Sequence, residues 1–551
     1  MKKYSLYKIL LILLSTNLFG QTTILSNQNF SSAQIIQGID TLIVSNCVFA
    51  NITGVPLRIT NVKYVSLNGN LFQNINTGNA SEAAVTGRDI DYLHSRENHF
   101  FEITGNAYRF PYQGNLTSAD RLGTIRIEND SIINIKSLST IQGNGIYIFH
   151  TDSIFIENNF IKNIDHNGIS VGSPTNTVLE KVNYCSIKNN LIDSILGNGI
   201  LGGEQILNAF VYDNTISNIA TDGIGALPSN GDHGIYWQAP DAVISGNFID
   251  NNLDGTVGCT NGCRGIGISI RTNAMVSANR VSNCEGGGIV YWGDHPANGT
   301  LTIANNIIYD NTRNGILVNG SYNGETYPDT ILVYHNTVLN INPNTTPHHF
   351  YSPLSMYDYY SGPIDPQVFN PYAEAVGNLL IFEGMTDSTK YVYESNVIFD
   401  KKAFNFLISG DPSMVDYNNR DLRLLSSSIA VNYLSSMEQN VNEDFFGTIR
   451  TAPFDAGAHE FSNLSTNISD LPYQDKFVTL FPNPFQNVLN IESKEEINRI
   501  EVYNIKGELI YTMNKIQNKN LQLDIKLDIG LYLISIQMRN GKIVNQLIVK
   551  S

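Results

Sequence analysis

The chain has 551 residues, 42% of them hydrophobic and only 15% charged, which supplies enough apolar material for a sizeable core and excludes a disordered polymer. A net charge of −16 disfavours nucleic acid and anionic membrane surfaces as partners, because both reward a basic face. Glycine is abundant, at 44 residues, and asparagine recurs throughout, a composition suited to many tight turns between short strands and not to long amphipathic helices.

The opening MKKYSLYKILLILLSTNLFGQ sets Lys2, Lys3 and Lys8 ahead of an apolar run from Ile9 to Leu14, with small and polar residues near Gly20. That order is expected of a secretory signal peptide over residues 1–20, and the run is too short to span a bilayer. Export permits disulfides, but five cysteines is an odd number, so at least one thiol is expected free or paired outside the chain. Cys259, Cys263 and Cys284 lie close together and are candidates for one bridge, while Cys47 and Cys185 fall in strand patterns and are expected in the core. No His falls at zinc-ligand spacing from the three.

From residue 21 to about 400 two patterns recur. The first is apolar-x-apolar-x-x-Asn-x-apolar, with its marker at Asn46, Asn70, Asn98, Asp130, Asn159, Asn190, Asn214, Asn247, Asn279, Asn306, Asn336 and Asn378. The second is Gly-Ile, preceded in turn by Asn144, Asn167, Asn198, His233, Arg264, Gly287 and Asn314. Most markers are 24 to 33 residues apart, a period that signals a solenoid, and the apolar residues within each copy alternate as in strands. Stacked coils would pair each strand with its equivalents above and below in parallel sheets, and asparagines at one corner would pass side-chain amide hydrogen bonds along the stack. Twelve coils are expected, a rod on the order of 55–60 Å long. Such a rod has no need to associate, so a monomer is expected.

The Asn-Gly-Ile strands followed by the Asn-bearing strands resemble the right-handed parallel β-helix proteins of the pectin-lyase-like class, over about residues 22 to 400. The resemblance implies an all-β solenoid with a substrate groove over the sheet of Gly-Ile strands. The fold hosts lyases, hydrolases, epimerases, esterases and adhesins alike, so it does not choose among them. Residues 401–461 hold DPSMVDYNNRDLRLLSSSIAVNY and DFFGTIRTAPFDAGAHEF, similar to the terminal coils of secreted bacterial β-helix proteins. Asp411, Asp421, Asp444, Arg450 and Glu460 are therefore expected to cap the solenoid and not to catalyse.

After a polar linker at 462–476, residues 477–551 alternate apolar strands with Asn-Pro, Lys-Gly and Asn-Gly turns, as expected of a small β-sandwich. Pro482-Asn483-Pro484, Tyr503-Asn504 with Gly507, Gly530-Leu531-Tyr532 and Lys550 resemble the C-terminal sorting domain of the type IX secretion system. That resemblance implies a Gram-negative Bacteroidota-type host, passage through the periplasm and across the outer membrane, and release or surface anchoring, with the secretion machinery as a partner.

Strand parity selects the outward residues of the Gly-Ile sheet. With Ile266, Ile268, Ile270, Ile289 and Tyr291 inside, Ser269, Arg271, Trp292 and Asp294 face solvent, as do Tyr147, Phe149, Tyr236 and Gln238. Trp237 would then be buried, a large side chain for a coil interior, unless a bulge reverses it. Tyr236, Gln238, Trp292 and His295 suit a sugar, whose ring faces meet aromatic surfaces while its hydroxyls need polar partners. Two insertions, NNLDGTVGCTNGC and the stretch between Asn340 and Glu374 with His348, His349, Tyr351, Tyr357, Tyr359 and Tyr360, are expected to wall the strip or to pack on the rod.

His233 and Arg264 interrupt the Asn file beside Asp232, Arg271, Glu285, Asp294 and His295, the densest gathering of ionisable residues on this face. For a lyase acting on a uronic-acid polymer, Arg264 or Arg271 would neutralise the carboxylate, with His233 or a Tyr as base. For a hydrolase, Asp232, Glu285 and Asp294 are the nearest carboxylates. The structural alternative is a network pairing His233 and Arg264 with Asp232 and Glu285. No cofactor is called for. Calcium, common in β-helix lyases, would find oxygen ligands at Asp250, Asn252 and Asp254, although no strict loop pattern is present. The expected function is that of an exported protein acting on an extracellular polysaccharide as lyase or hydrolase; the alternative is a non-catalytic adhesin or glycan-binding protein.

Overall fold

The computed structural model describes residues 20–78, 82–111, 122–137, 143–172, 181–220, 232–253, 265–293, 299–320, 328–340, 352–358, 372–382, 392–395, 404–436, 441–462, 478–481, 488–504, 509–527, 530–539 and 543–550. They form two compact units, Met1–Ser462 and Asn463–Ser551.

The first unit is a three-sided parallel solenoid. One side is a sheet of fourteen strands, from Asn29–Phe30 to Phe406–Ile408. The other two sides meet at a corner that the chain crosses as continuous long strands in the early coils, Gln34–Ser45, Leu57–Asn68 and Ala83–Arg96. Later coils break there into pairs such as Ile146–Ile148 and Thr151–Glu157. Among the described residues there are fourteen coils, two more than the marker count suggests, a stack on the order of 60 Å tall. The interior is one aliphatic column, and its early part carries a stack of Phe30, Phe49, Phe72 and Phe100 with ring centroids 4.6–4.8 Å apart. Cys47 and Cys185 belong to this core, as expected.

The asparagine file is a hydrogen-bonded ladder. Asn247 is typical: its Nδ2 donates to the Val211 carbonyl at 2.9 Å and to Asn279 Oδ1 at 2.9 Å, while its Oδ1 accepts from the backbone and side chain of Asn214. The ladder thus satisfies turn groups that the sheets leave unpaired, each worth about 1 kcal/mol net and more if orphaned. The residue just before the ladder position is left-handed on coil after coil, as at Asn129, Asn158, Asn189 and Asp213. This corrects the first marker: Asn46 is the left-handed residue, and Cys47 holds the ladder position, its N–H donating to Asn70 Oδ1 at 3.0 Å. The ladder also runs one rung further, to Asn405.

Asp130 is the exception within the ladder. A carboxylate brings no N–H donor, and the site compensates with two hydroxyls: Tyr108 Oη and Ser95 Oγ donate to Asp130 Oδ2 at 2.6 and 3.0 Å. Tyr108 is buried where the phenylalanine stack ends, 4.5 Å from Phe100, which accounts for a polar ring in the core. Burial nonetheless pushes the Asp130 carboxyl up to about 7.

Trp237 is buried inside the coil, 0% exposed, and no bulge turns it outward. Space comes from the rung below, where Gly202 is its register partner and a Cβ would stand 2.3 Å from the indole. After the last rung strand, Phe406–Ile408, residues 409–462 do not sit as another rung. They pack on the flank of the last coils, with Met414, Tyr417, Leu422 and Leu424 against the outward Ile307, Leu339, Leu379 and Ile381. The suspect ionisable residues are absorbed in that packing. Arg450 is buried and paired with Glu460 at 3.1 Å, Asp444 accepts the Thr448, Phe446 and Glu460 amides, Asp421 pairs with Arg423, and Asp411 accepts from Ser413 and Met414. Cys284 is free and buried in the coil, so it forms no bridge with Cys259 or Cys263, which lie outside the described residues along with residues 1–19, where a signal peptide is expected.

The second unit is antiparallel. Strands Val478–Phe481, Val488–Asn504, Leu509–Asp524, Gly530–Met538 and Ile543–Lys550 enclose their own core around Leu489, Ile500, Val502, Ile534 and Ile536.

Two outcomes follow. Gly202→Ala should lower the urea midpoint by the equivalent of about 1–3 kcal/mol through overpacking against Trp237, and Trp237→Leu in the same chain should recover much of it. The raised Asp130 group holds a proton in the folded state that the unfolded chain releases. Its contribution to stability is therefore complete below 3.8 and declines as pH rises through about 7. Urea titrations across that window should show the decline in the native protein and lose it in Asp130→Asn.

Candidate functional site

The Gly-Ile strands stack because each glycine faces backbone. A Cβ on Gly145, Gly168, Gly199, Gly234, Gly267, Gly288 or Gly315 would stand 2.6–2.8 Å from a carbonyl oxygen of the next coil. This close approach sets the register: Ile200 pairs Ile235, Ile235 pairs Ile268, and Ile268 pairs Ile289. The glycine under Ile268 is Gly267, so the residue in the Asn file on that coil is Ile266. Arg264 is therefore two positions out of the file, and it lies outside the described residues, as do Asp294 and His295. CRGIGISIR contains Gly-Ile twice, and the earlier copy is the wrong one.

His233 does stand in the file and continues the ladder. Its backbone N–H donates to Asn198 Oδ1 at 3.2 Å, and its Nδ1 accepts from the Ile266 N–H at 3.4 Å, so an imidazole nitrogen takes the place of an amide oxygen. The ladder then stops, because Ile266 offers no side-chain acceptor. His233 is 3% exposed, and its ring stacks on Tyr236 with centroids 5.3 Å apart.

Outward from this base the described site is compact. Tyr236 is half-buried, Gln238 Nε2 donates to its Oη at 3.2 Å, and the Arg271 guanidinium lies 4.7 Å from its ring centroid. Arg271 also lies 5.9 Å from the Trp292 centroid. Neighbouring strands bring these residues together: Tyr236 pairs Ser269, and the Arg271 amide bonds the Trp237 carbonyl. A guanidinium held over an aromatic ring whose hydroxyl accepts from an amide sets a cation and a polar phenol edge side by side, an arrangement that can meet a carboxylate and a sugar hydroxyl at once.

Other sequence expectations are corrected. Trp292 does point outward but is 8% exposed, packed with Val290, Leu317 and Ile266, so it is wall and not open platform. Ile266 joins that outer cluster and not the core column. Asp232 is 0% exposed, and its carbonyl accepts from the Gly265 amide at 2.6 Å. Glu285 is half-buried at the coil corner, its amide bonded to the Asn252 carbonyl. The calcium set does not assemble from its described members: Asp250 accepts from Ser282 and Asn283, while buried Asn252 donates to the Ile266 carbonyl; Asp254 is outside the described residues. Part of the expected insertion is a rung, since Leu354–Asp358, which carries Tyr357, pairs with Ile316–Gly320. His348, His349, Tyr351, Tyr359 and Tyr360 lie outside the described residues. Arg109, stacked on Tyr147 at 4.6 Å on the same sheet, was not singled out by the sequence; parity would have marked it.

Known proteins agree with this architecture in two segments. Residues 123–345 match the family described as right handed beta helix region, and residues 479–550 match the secretion system C-terminal sorting domain. Among solved structures, the Dettilon tailspike protein is 15% identical with a TM-score of 0.35, the match covering 68% of this chain and 62% of that one. Tailspike protein 3 of bacteriophage CBA120 is 12% identical with a TM-score of 0.29, covering 65% and 56%. The chain thus spans less than two thirds of either tailspike. A search of curated proteins finds no match.

Parallel coils stacked in register, together with the matched region, make this chain a right-handed parallel β-helix protein. Its C-terminal unit is a type IX secretion sorting domain, so the protein is exported to the cell surface or the extracellular space.

The ladder role of His233 has a measurable consequence. His233→Asn should keep the urea midpoint within about 0.5 kcal/mol of the native value, whereas His233→Ala should cost about 1–3 kcal/mol by orphaning the Ile266 amide.

Proposed function

We propose that this exported β-helix protein acts on an extracellular polysaccharide bearing uronic-acid carboxylates and cleaves it by elimination at the Tyr236–Arg271 site. The observation that carries the reading is the Arg271 guanidinium over Tyr236, with Gln238 holding the phenol oxygen. Elimination needs charge stabilisation at a carboxylate and a base at the adjacent carbon. Arg271 supplies the first. As the proton leaves that carbon, its electron pair forms the new double bond and the bond to the leaving oxygen breaks. Of the two sequence candidates for the base, His233 has Nδ1 committed to the Ile266 amide, which puts the neutral ring's proton on Nε2 and leaves no free lone pair. Tyr236 is the remaining candidate: its phenolate form takes the proton from carbon, the departing oxygen takes up a proton in turn, from the phenol so formed or from water, and His233 becomes the ring's support. Hydrolysis is less well served: Asp232 is buried, and the described residues do not set two carboxylates over the strip.

A second reading, glycan binding without cleavage, draws on the same role of His233 as a ladder residue. The two separate in one assay. The purified protein is incubated with neutral, uronic-acid and sulfated polysaccharides, and unsaturated ends and reducing ends are read independently. Unsaturated ends on uronic-acid polymers are expected, falling about 100-fold or more in Tyr236→Phe with binding retained, and lost with binding in Arg271→Ala. Reducing ends alone would replace elimination by hydrolysis, and binding without either product would establish the second reading.

A further inference from the structure

The same outer face carries a second arginine with a different environment. Arg109, on Asn106–Phe110, is half-buried, and its guanidinium lies 4.6 Å from the Tyr147 centroid and 5.8 Å from that of Phe149. It makes no ion pair or side-chain hydrogen bond among the described residues, and its Nε is buried without a partner. Three half-buried arginines of the solenoid, by contrast, are paired: Arg58 with Glu82 at 2.9 Å, Arg126 with Glu157 at 3.3 Å, and Arg280 with the Tyr309 hydroxyl at 2.9 Å. A guanidinium stripped of much of its water and held on two rings, with its donors unused, is a preformed cradle for an anionic oxygen pair. Stacking fixes its plane, so little entropy is lost when a ligand arrives.

Its position is set by register. Arg109 pairs Tyr147, and the row continues through Ser170 and Leu201 to Tyr236. One further pairing reaches the strand that ends beside Arg271. Five strand spacings separate the two arginines, about 24 Å at the usual parallel spacing. The geometry points to Arg109 as a second anion-recognition site, taking a carboxylate or sulfate of the sugar chain engaged at Arg271, so that the chain lies along the solenoid axis between the two. This rests on the Tyr236–Arg271 reading for its second anchor, but the Arg109 cradle stands on its own contacts.

The test uses the full mature chain and two probe series, oligogalacturonides from dimer to decamer and chondroitin sulfate oligosaccharides over the same lengths, titrated by calorimetry. Affinity should rise with length until a chain spans both arginines. Arg109→Ala should remove that rise, weakening the longest probes roughly ten-fold or more, while the shortest probes keep their Arg271-dependent binding. Arg109→Lys, which keeps charge but not the planar fork, should recover only part of the loss. Dependence on Arg109 in the carboxylate series or in the sulfate series alone assigns the anion. If Arg109→Ala, or Arg109→Gln should the alanine variant melt early, binds every length as the native protein does, the second site is refuted and the Tyr236–Arg271 site stands. If Arg109→Ala abolishes binding and Arg271→Ala does not, Arg109 is upheld as an anion site and the Tyr236–Arg271 reading fails. No binding to either series refutes both.

Discussion

Stacking one coil on the next at the spacing of a parallel sheet is the constraint from which the rest of this structure follows. It brings backbone against backbone along every side, so a position on one coil is judged by what the next coil places above it. Where the next carbonyl crowds in, only glycine fits, and the glycines of the Gly-Ile strands form a file for that reason. Where turn amides and carbonyls would be stranded, a side-chain amide that donates and accepts at once fits best, and asparagine fills the corner.

Departures from these files are local solutions to the same problem. Asp130 lacks a donor, and Tyr108 and Ser95 provide hydroxyls for it. His233 keeps an acceptor nitrogen where an amide oxygen would stand, and in doing so presents a flat ring to Tyr236. The candidate site is thus built on the ladder and not beside it. The residue that completes the stack also backs the half-buried aromatic ring on the outer face, which ties the position of that ring to the rigidity of the solenoid.

The outer face gains its chemistry from the same registration. Side chains one coil apart are vertical neighbours, so Tyr236 and Arg271 meet although they are far apart along the chain, and Arg109 meets Tyr147 likewise. Export by the C-terminal sorting domain places that face where extracellular polysaccharides are found.

By itself the sequence determined the solenoid, the ladder at Asn70 and onward, the outward parity of Tyr236, Gln238 and Arg271, and the sorting domain, because each is written as a period, an alternation or a local turn signature. Only the tertiary structure decided the register at CRGIGISIR, where two Gly-Ile pairs compete and the carbonyl of the following coil chooses Gly267. It also decided that Trp237 goes inside above Gly202, that Trp292 is covered, that Cys284 stays unpaired, and that residues 409–462 pack on the flank. These outcomes depend on which atoms of a neighbouring coil occupy a given ångström of space, and that quantity exists only after distant stretches of chain have been laid one upon another.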